Sequence, residues 1–136
     1  MRRQRHPRRA VAAVELAILL PFLAVLLVVA VDWSRIFYCS VTIENCARNG
    51  ALWASDPNSG YQSPYASITE AALADATNLT PHPTVASANG TDADGHAYVD
   101  CTVTYNFKTV TNLPLVGQST TIQRTVRMYV AAATPN

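Results

Sequence analysis

One stretch, Ala10 to Val31, carries no charge except Glu15, and it follows a head of five arginines, Arg2, Arg3, Arg5, Arg8 and Arg9. As a helix rising about 1.5 Å per residue, its 22 positions reach roughly 33 Å, enough to cross a hydrocarbon core of about 30 Å. Short flanks rich in Arg are retained in the cytoplasm, so the expected topology is N-terminus in and C-terminus out. No comparably apolar run of this length follows, which places the rest of the chain outside the cytoplasm. A cleavable secretory signal shares the basic head, but its apolar core usually runs only about 7–15 residues. Glu15 also interrupts the start of the run, and Ala30-Val31-Asp32 makes a poor small-x-small cleavage site. The expectation is a retained single-pass anchor in the inner (cytoplasmic) membrane.

The net charge of +1 conceals an asymmetry. From Asp32 onward there are five basic residues against eight acidic ones, about −3 in all. The basic residues there, Arg35, Arg48, Lys108, Arg124 and Arg127, are scattered and form no patch, which argues against a nucleic-acid partner. The arginine head is a topology signal with some attraction for anionic lipid. The part beyond the membrane is long enough for one small domain, which needs a staple, a partner or a long helix to lean on.

Nothing between Val31 and Ser55 forces the helix to stop. The expected object is one continuous helix from about Ala10 to Ser55, with Pro21 producing a mild kink and Trp33, Phe37 and Tyr38 crossing the interfacial belt. Beyond the membrane, Trp33, Phe37, Val41, Glu44, Arg48 and Leu52, with Ile36 and Ile43, trace a partly apolar side that Gly50 weakens. Asp56-Pro57-Asn58-Ser59-Gly60 ends the helix, and loop follows to Tyr65. Ser67-Ile68-Thr69-Glu70 has capping-box spacing and opens a short helix through Ala76. The segment from Thr80 to Gly95, with two prolines and two glycines, reads as connection.

Two strands are expected next. In Ala97 to Phe107, Val99, Cys101, Val103, Tyr105 and Phe107 share one face, and Tyr98, Asp100, Thr102, Thr104 and Asn106 the other. After a loop through Asn112, Pro114 and Gly117, Thr120 to Val130 forms the second strand, with Ile122, Arg124, Val126, Met128 and Val130 in phase and Arg127 opposite. Two strands alone are marginal, so the sheet must pack on the helix. The fold class is α+β: a long N-terminal transmembrane and spine helix, with a small antiparallel sheet and a short helix on its external half. The divisions are residues 1–9 as a cytoplasmic basic head, 10–31 as the transmembrane helix, 32–55 as its extension and 56–136 as a small extracytoplasmic α+β domain.

Cys39, Cys46 and Cys101 are the whole cysteine inventory, in a compartment where disulfides persist. Cys39 and Cys46 lie about 10 Å apart along one helix, too far to pair with each other. Either could reach Cys101 on a strand packed over the helix. Cys46 to Cys101 is favoured, because Cys46 lies farther from the membrane; three buried unbonded thiols are the bland alternative. No CxxC occurs and no His stands at metal-ligand spacing from these cysteines. Asp92 and Asp94 before Gly95 faintly resemble a calcium loop but lack its bidentate Glu, so a solvated turn is expected and no metal is assigned. His6, His82 and His96 have no nucleophile or acid at a recognisable motif spacing, and no Gly-rich phosphate loop appears. Neither catalysis nor a cofactor is expected.

Glu15 needs an explanation, because a carboxylate in an apolar helix is costly and tends to mark a function. It either snorkels to the headgroups beside the arginines or pairs with a donor on a neighbouring protein within the bilayer.

The run Arg8-Arg9-Ala10-Val11-Ala12-Ala13-Val14-Glu15-Leu16-Ala17-Ile18-Leu19-Leu20-Pro21 resembles the N-terminal signature of the TadE-like pseudopilins of the tight-adherence (Flp-type) pilus system. Asp32 to Tyr38 and Glu44-Asn45-Cys46-Ala47-Arg48-Asn49-Gly50-Ala51 are similar to the same family's helix extension. The resemblance covers about residues 8–51. It implies a prepilin-type motif, with Glu15 as the fifth residue of the mature chain, Val11 as its new N-terminus and residues 1–10 as a leader removed by a prepilin peptidase. The family usually has Gly where this chain has Ala10. The resemblance further implies a minor pseudopilin or membrane-anchored assembly component, with other pilus subunits and an inner-membrane secretion platform as partners. The competing reading is a bitopic envelope protein whose external domain binds a partner or ligand unrelated to pili.

Overall fold

The computed structural model describes residues 7–109 and 119–131. Helix α1 runs unbroken from Pro7 to Ser55, with Pro21 inside it. The described residues contain one helix long and apolar enough to cross a membrane, and none of its most apolar window is covered by the rest of the chain. The arginines of the head and the loop through Asn112, Pro114 and Gly117 lie outside the described residues or have side chains that do.

Past Ser55 the chain turns through Asp56, whose Oδ1 accepts the Asn58 N–H at 2.9 Å, an Asx turn of the kind short acidic side chains favour. One helical turn follows, α2 (Ser59–Gln62), where loop was expected. Helix α3 (Ile68–Leu73) passes into a 3-10 turn, Ala74–Ala76. Ser67 caps α3 as its spacing predicts, accepting the Glu70 N–H at 3.2 Å. The Glu70 carboxylate reaches back to the Ala66 N–H at 2.8 Å, one residue earlier than in a standard capping box.

The sheet has three strands in the order β1-β2-β3, all antiparallel: β1 (Thr84–Thr91), β2 (Ala97–Lys108) and β3 (Ser119–Tyr129). Strand β1 corrects the reading of Thr80 to Gly95 as connection. It pairs with β2 from Thr84 opposite Thr104 to Thr91 opposite Ala97. The sequence Thr84-Val85-Ala86-Ser87-Ala88-Asn89-Gly90-Thr91 shows no alternation because an edge strand with most side chains in water is held by its backbone ladder. Gly90 has a further role: a Cβ there would stand 2.4 Å from the Tyr98 ring, which lies over the bare backbone of its cross-strand partner.

Strand β2 alternates as predicted, with Val99, Cys101, Val103, Tyr105 and Phe107 buried. These face α1, which lies antiparallel to β2: Phe107 lies under the Arg35 guanidinium, and at the far end Ala131 N–H reaches the Ser55 carbonyl at 3.0 Å. The sheet therefore runs along the helix from about Arg35 to Ser55. The buried face of α1 consists of Cys39, Ile43, Cys46, Ala47, Gly50 and Ala51, met by Ala72 and Ala76 beside the sheet. Among the described residues no buried side-chain nitrogen or oxygen lacks a hydrogen-bond partner.

Candidate functional site

The prepilin-type motif lies on the first turns of α1. Ala10, Val11 and Glu15 are all exposed, and Glu15 makes no ion pair among the described residues. The Ala10–Val11 bond lies within the helix, near its N-terminal side. In a hydrocarbon core about 30 Å thick with one edge at Val31, Glu15, about 24 Å of helix away, would lie deep inside. That leaves it a turn inside the opposite edge.

The half of α1 beyond Val31 has two opposed faces. Trp33 (58% exposed), Phe37 (68%), Val41 and Leu52 face away from the domain. The side expected to be apolar therefore merged two surfaces, since Ile36 and Ile43 belong to the packed face and the others do not. The packed face is built on small residues. A Cβ on Gly50 would meet Cys101 Sγ at 2.6 Å and Ala72 Cβ at 3.0 Å. Gly50, expected to weaken the pattern, is instead where the Cys101 side chain of β2 packs against bare helix backbone.

This approach also explains the cysteines. The expected disulfide is not formed: Cys39, Cys46 and Cys101 are free and buried, with no pair at disulfide distance. The Cys101 thiol fills the notch left by the missing Gly50 side chain, one turn beyond Cys46, so the sheet is held by packing rather than by a staple. Burial, with a smaller contribution from Asp75, pushes the Cys46 thiol up to about 11, and burial also raises those of Cys39 and Cys101. At neutral pH the three behave as small apolar groups.

Arg124, in phase with the core face of β3, reaches across to α1, donating to Ser40 Oγ at 2.7 Å. On the outer face Arg127 grips Asp100 through two 2.7 Å hydrogen bonds and stacks 3.7 Å above the Tyr98 ring. That grip holds the Asp100 carboxyl below the usual range. Asp92 organises the β1–β2 turn: its Oδ1 accepts N–H groups of Asp94 at 3.0 Å and His96 at 2.8 Å, and Gly95 takes φ +87. These backbone donors, that of His96 first, lower the Asp92 carboxyl. Asp92, Asp94 and His96 do converge, but their geometry is that of a hydrogen-bonded turn.

The continuity of the apolar helix with a small-residue packing face is the arrangement against which known families can be compared. Residues 10–52 match the family model for TadE-like proteins. No curated protein and no solved structure matches the chain. The TadE-like segment takes in Glu15 at one end and the Ala47-Arg48-Asn49-Gly50-Ala51 block at the other. It therefore includes both the membrane half of α1 and the face on which the sheet docks. Within that block Ala47, Gly50 and Ala51 are buried against the domain, while Arg48 points outward to Glu44 at 3.6 Å. Spacing of small residues at three and four along a helix would have found this face, had they been weighed as a packing surface rather than as weak apolar positions.

Proposed function

We propose that this chain is a minor pseudopilin or membrane-anchored assembly component of a tight-adherence (Flp-type) pilus, without catalytic activity of its own. The observation that carries the reading is the TadE-like match over residues 10–52, because it spans the membrane carboxylate and the small-residue face on one unbroken helix. The α1 surface through residues 11–31 packs against neighbouring pilus subunits or the inner-membrane secretion platform. The sheet and α3 are displayed on the other side of the membrane. Removal of residues 1–10 by a prepilin peptidase would free the Val11 amine to pair with Glu15 of an adjacent subunit. In the organism that carries the gene, an in-frame deletion should abolish or sharply reduce surface pili, and the full chain in trans should restore them. Normal piliation in the deletion strain would remove the reading in favour of an envelope protein unrelated to pili.

The orientation places the N-terminus in the cytoplasm, supported by the five-arginine head before the apolar stretch of α1. A reporter active only outside the cytoplasm, fused after Asn136, should be active. An inactive reporter on a stable, membrane-integrated fusion would reverse the orientation.

A further inference from the structure

At the end of the sheet nearest the membrane helix, a cavity of about 280 Å³ opens between α1, the segment after the 3-10 turn and the last residues of β2. Polar groups from α1, the segment after the 3-10 turn and β2 converge on it. The Arg35 guanidinium lies 5.2 Å over the Phe107 ring and 3.6 Å from the Asp32 carboxylate, and among the described residues it makes no hydrogen bond. Beside it, Tyr38 Oη accepts from Asn78 Nδ2 at 2.8 Å, which leaves the phenolic hydrogen uncommitted. Among the described residues, Tyr105 Oη makes one long 3.4 Å bond, to the Thr80 carbonyl. Leu79 and Phe107, both buried, form the apolar wall.

The depth of this cavity decides what could fill it. Arg35 and Tyr38 stand four and seven residues past Val31, so about 6 and 10 Å above the hydrocarbon edge. A headgroup layer is about 5–8 Å thick on each side of the core. The guanidinium therefore lies at the level of lipid phosphates, with planar donors matched to a phosphate's paired oxygens. Asp32, 3% exposed, stands 3.6 Å from that guanidinium and is not among the residues lining the cavity. Lys108, exposed on the outer face at the same end of β2, adds a second cation over the bilayer surface. Below, the uncovered apolar side of α1 offers a path for acyl chains.

We propose that the membrane-proximal cavity lined by Arg35, Tyr38, Asn78 and Tyr105 binds the phosphate headgroup of a phospholipid. The lipid would fix the external domain at a set height and tilt over the bilayer. The inference rests on α1 crossing the membrane and is independent of a role in pili.

The test uses the full chain, reconstituted with phosphatidylglycerol, stripped with detergent and weighed by native mass spectrometry. One retained phosphatidylglycerol per chain is expected, and diacylglycerol, which lacks the phosphate, should not be retained. Arg35→Gln should lower retention by about tenfold or more, as loss of a charge-assisted hydrogen bond would. Arg35→Lys, which keeps a partner for Asp32, should fold normally and retain less lipid than the parent, having lost the fork. Equal retention by the parent and Arg35→Lys and Arg35→Gln, or equal retention of diacylglycerol, would overturn the proposal. Displacement by inorganic phosphate would overturn the lipid source and make this a site for a soluble anion. A parent chain that fails to enter liposomes at all would instead refute the membrane anchor, a distinct outcome.

Discussion

Gly50→Leu should uncouple the sheet from the spine helix, leaving α1 helical while the external domain loses cooperative unfolding. The bare α-carbon of Gly50 admits the Cys101 sulfur and the Ala72 methyl, and even a methyl group there would stand 2.6 Å from that sulfur. Both neighbours are themselves fully or almost fully buried, so neither has space to retreat. Gly50→Ala separates the opposing effects. Helix propensity favours Ala by about 1 kcal/mol, whereas overpacking a closed core costs about 1–3 kcal/mol. The net expectation is destabilisation by about 1 kcal/mol for Ala and by roughly 3 kcal/mol or more for Leu. At about 4–8 °C per kcal/mol for a domain of this size, thermal melting in micelles resolves both. Adding Cys101→Ala to Gly50→Ala removes the sulfur and should restore most of the loss, a coupling that independent sites would not show. An unchanged melting temperature in Gly50→Ala would mean that the thiol rotates away freely, and that the notch is not what sets the distance between sheet and helix.

Glu15→Gln should leave membrane insertion intact and stop pilus assembly. Insertion survives because the change removes a charge from an apolar helix, and charge at membrane depth is unfavourable. Assembly fails if Glu15 pairs with a cation of a neighbouring subunit. Truncating one member of a desolvated pair costs about 2–5 kcal/mol, a fall in incorporation of roughly thirtyfold or more. Glu15→Asp keeps the charge on a shorter arm and should retain part of the function. Pili counted by electron microscopy, against protein abundance in the membrane fraction, give the readout. Normal pili at normal abundance would leave Glu15 as a side chain that snorkels to the headgroups. The two substitutions lie at opposite ends of the TadE-like segment and should fail differently. Changing Gly50 damages the domain in isolation, whereas changing Glu15 leaves a folded protein that does not assemble.

The features legible in the chain are those whose physics is local. Twenty-two residues with a single charge make a membrane-length helix whatever surrounds them. Alternation from Val99 to Phe107 gives a strand with one buried face, and Ser67 before Glu70 gives a helix start. Strand β1 was not legible because most of its side chains face water, and its stability comes from a backbone ladder to β2 residues six to twenty positions further along the chain. The face of α1 that packs was misjudged for a related reason. Size-blind periodicity rewards Trp33, Phe37 and Leu52, which stay exposed, over Gly50, Ala47 and Cys46, which are buried. Which face of a helix is covered depends on how closely another backbone can come, and small residues allow the closest approach.

From sequence alone came the apolar segment of membrane-spanning length, the α+β class, the helix from about Ala10 to Ser55 and the two long strands, since each depends on a periodicity or a composition within one segment. The tertiary structure alone decided the third strand, the free state of the three thiols, and the gathering of Arg35, Tyr38, Asn78 and Tyr105 around one cavity. Those four residues are spread over seventy positions of the chain. The antiparallel packing of β2 on α1, with the segment after the 3-10 turn laid beside them, brings them to the same end of the sheet, because contacts between distant segments depend on register and spacing that no local pattern encodes.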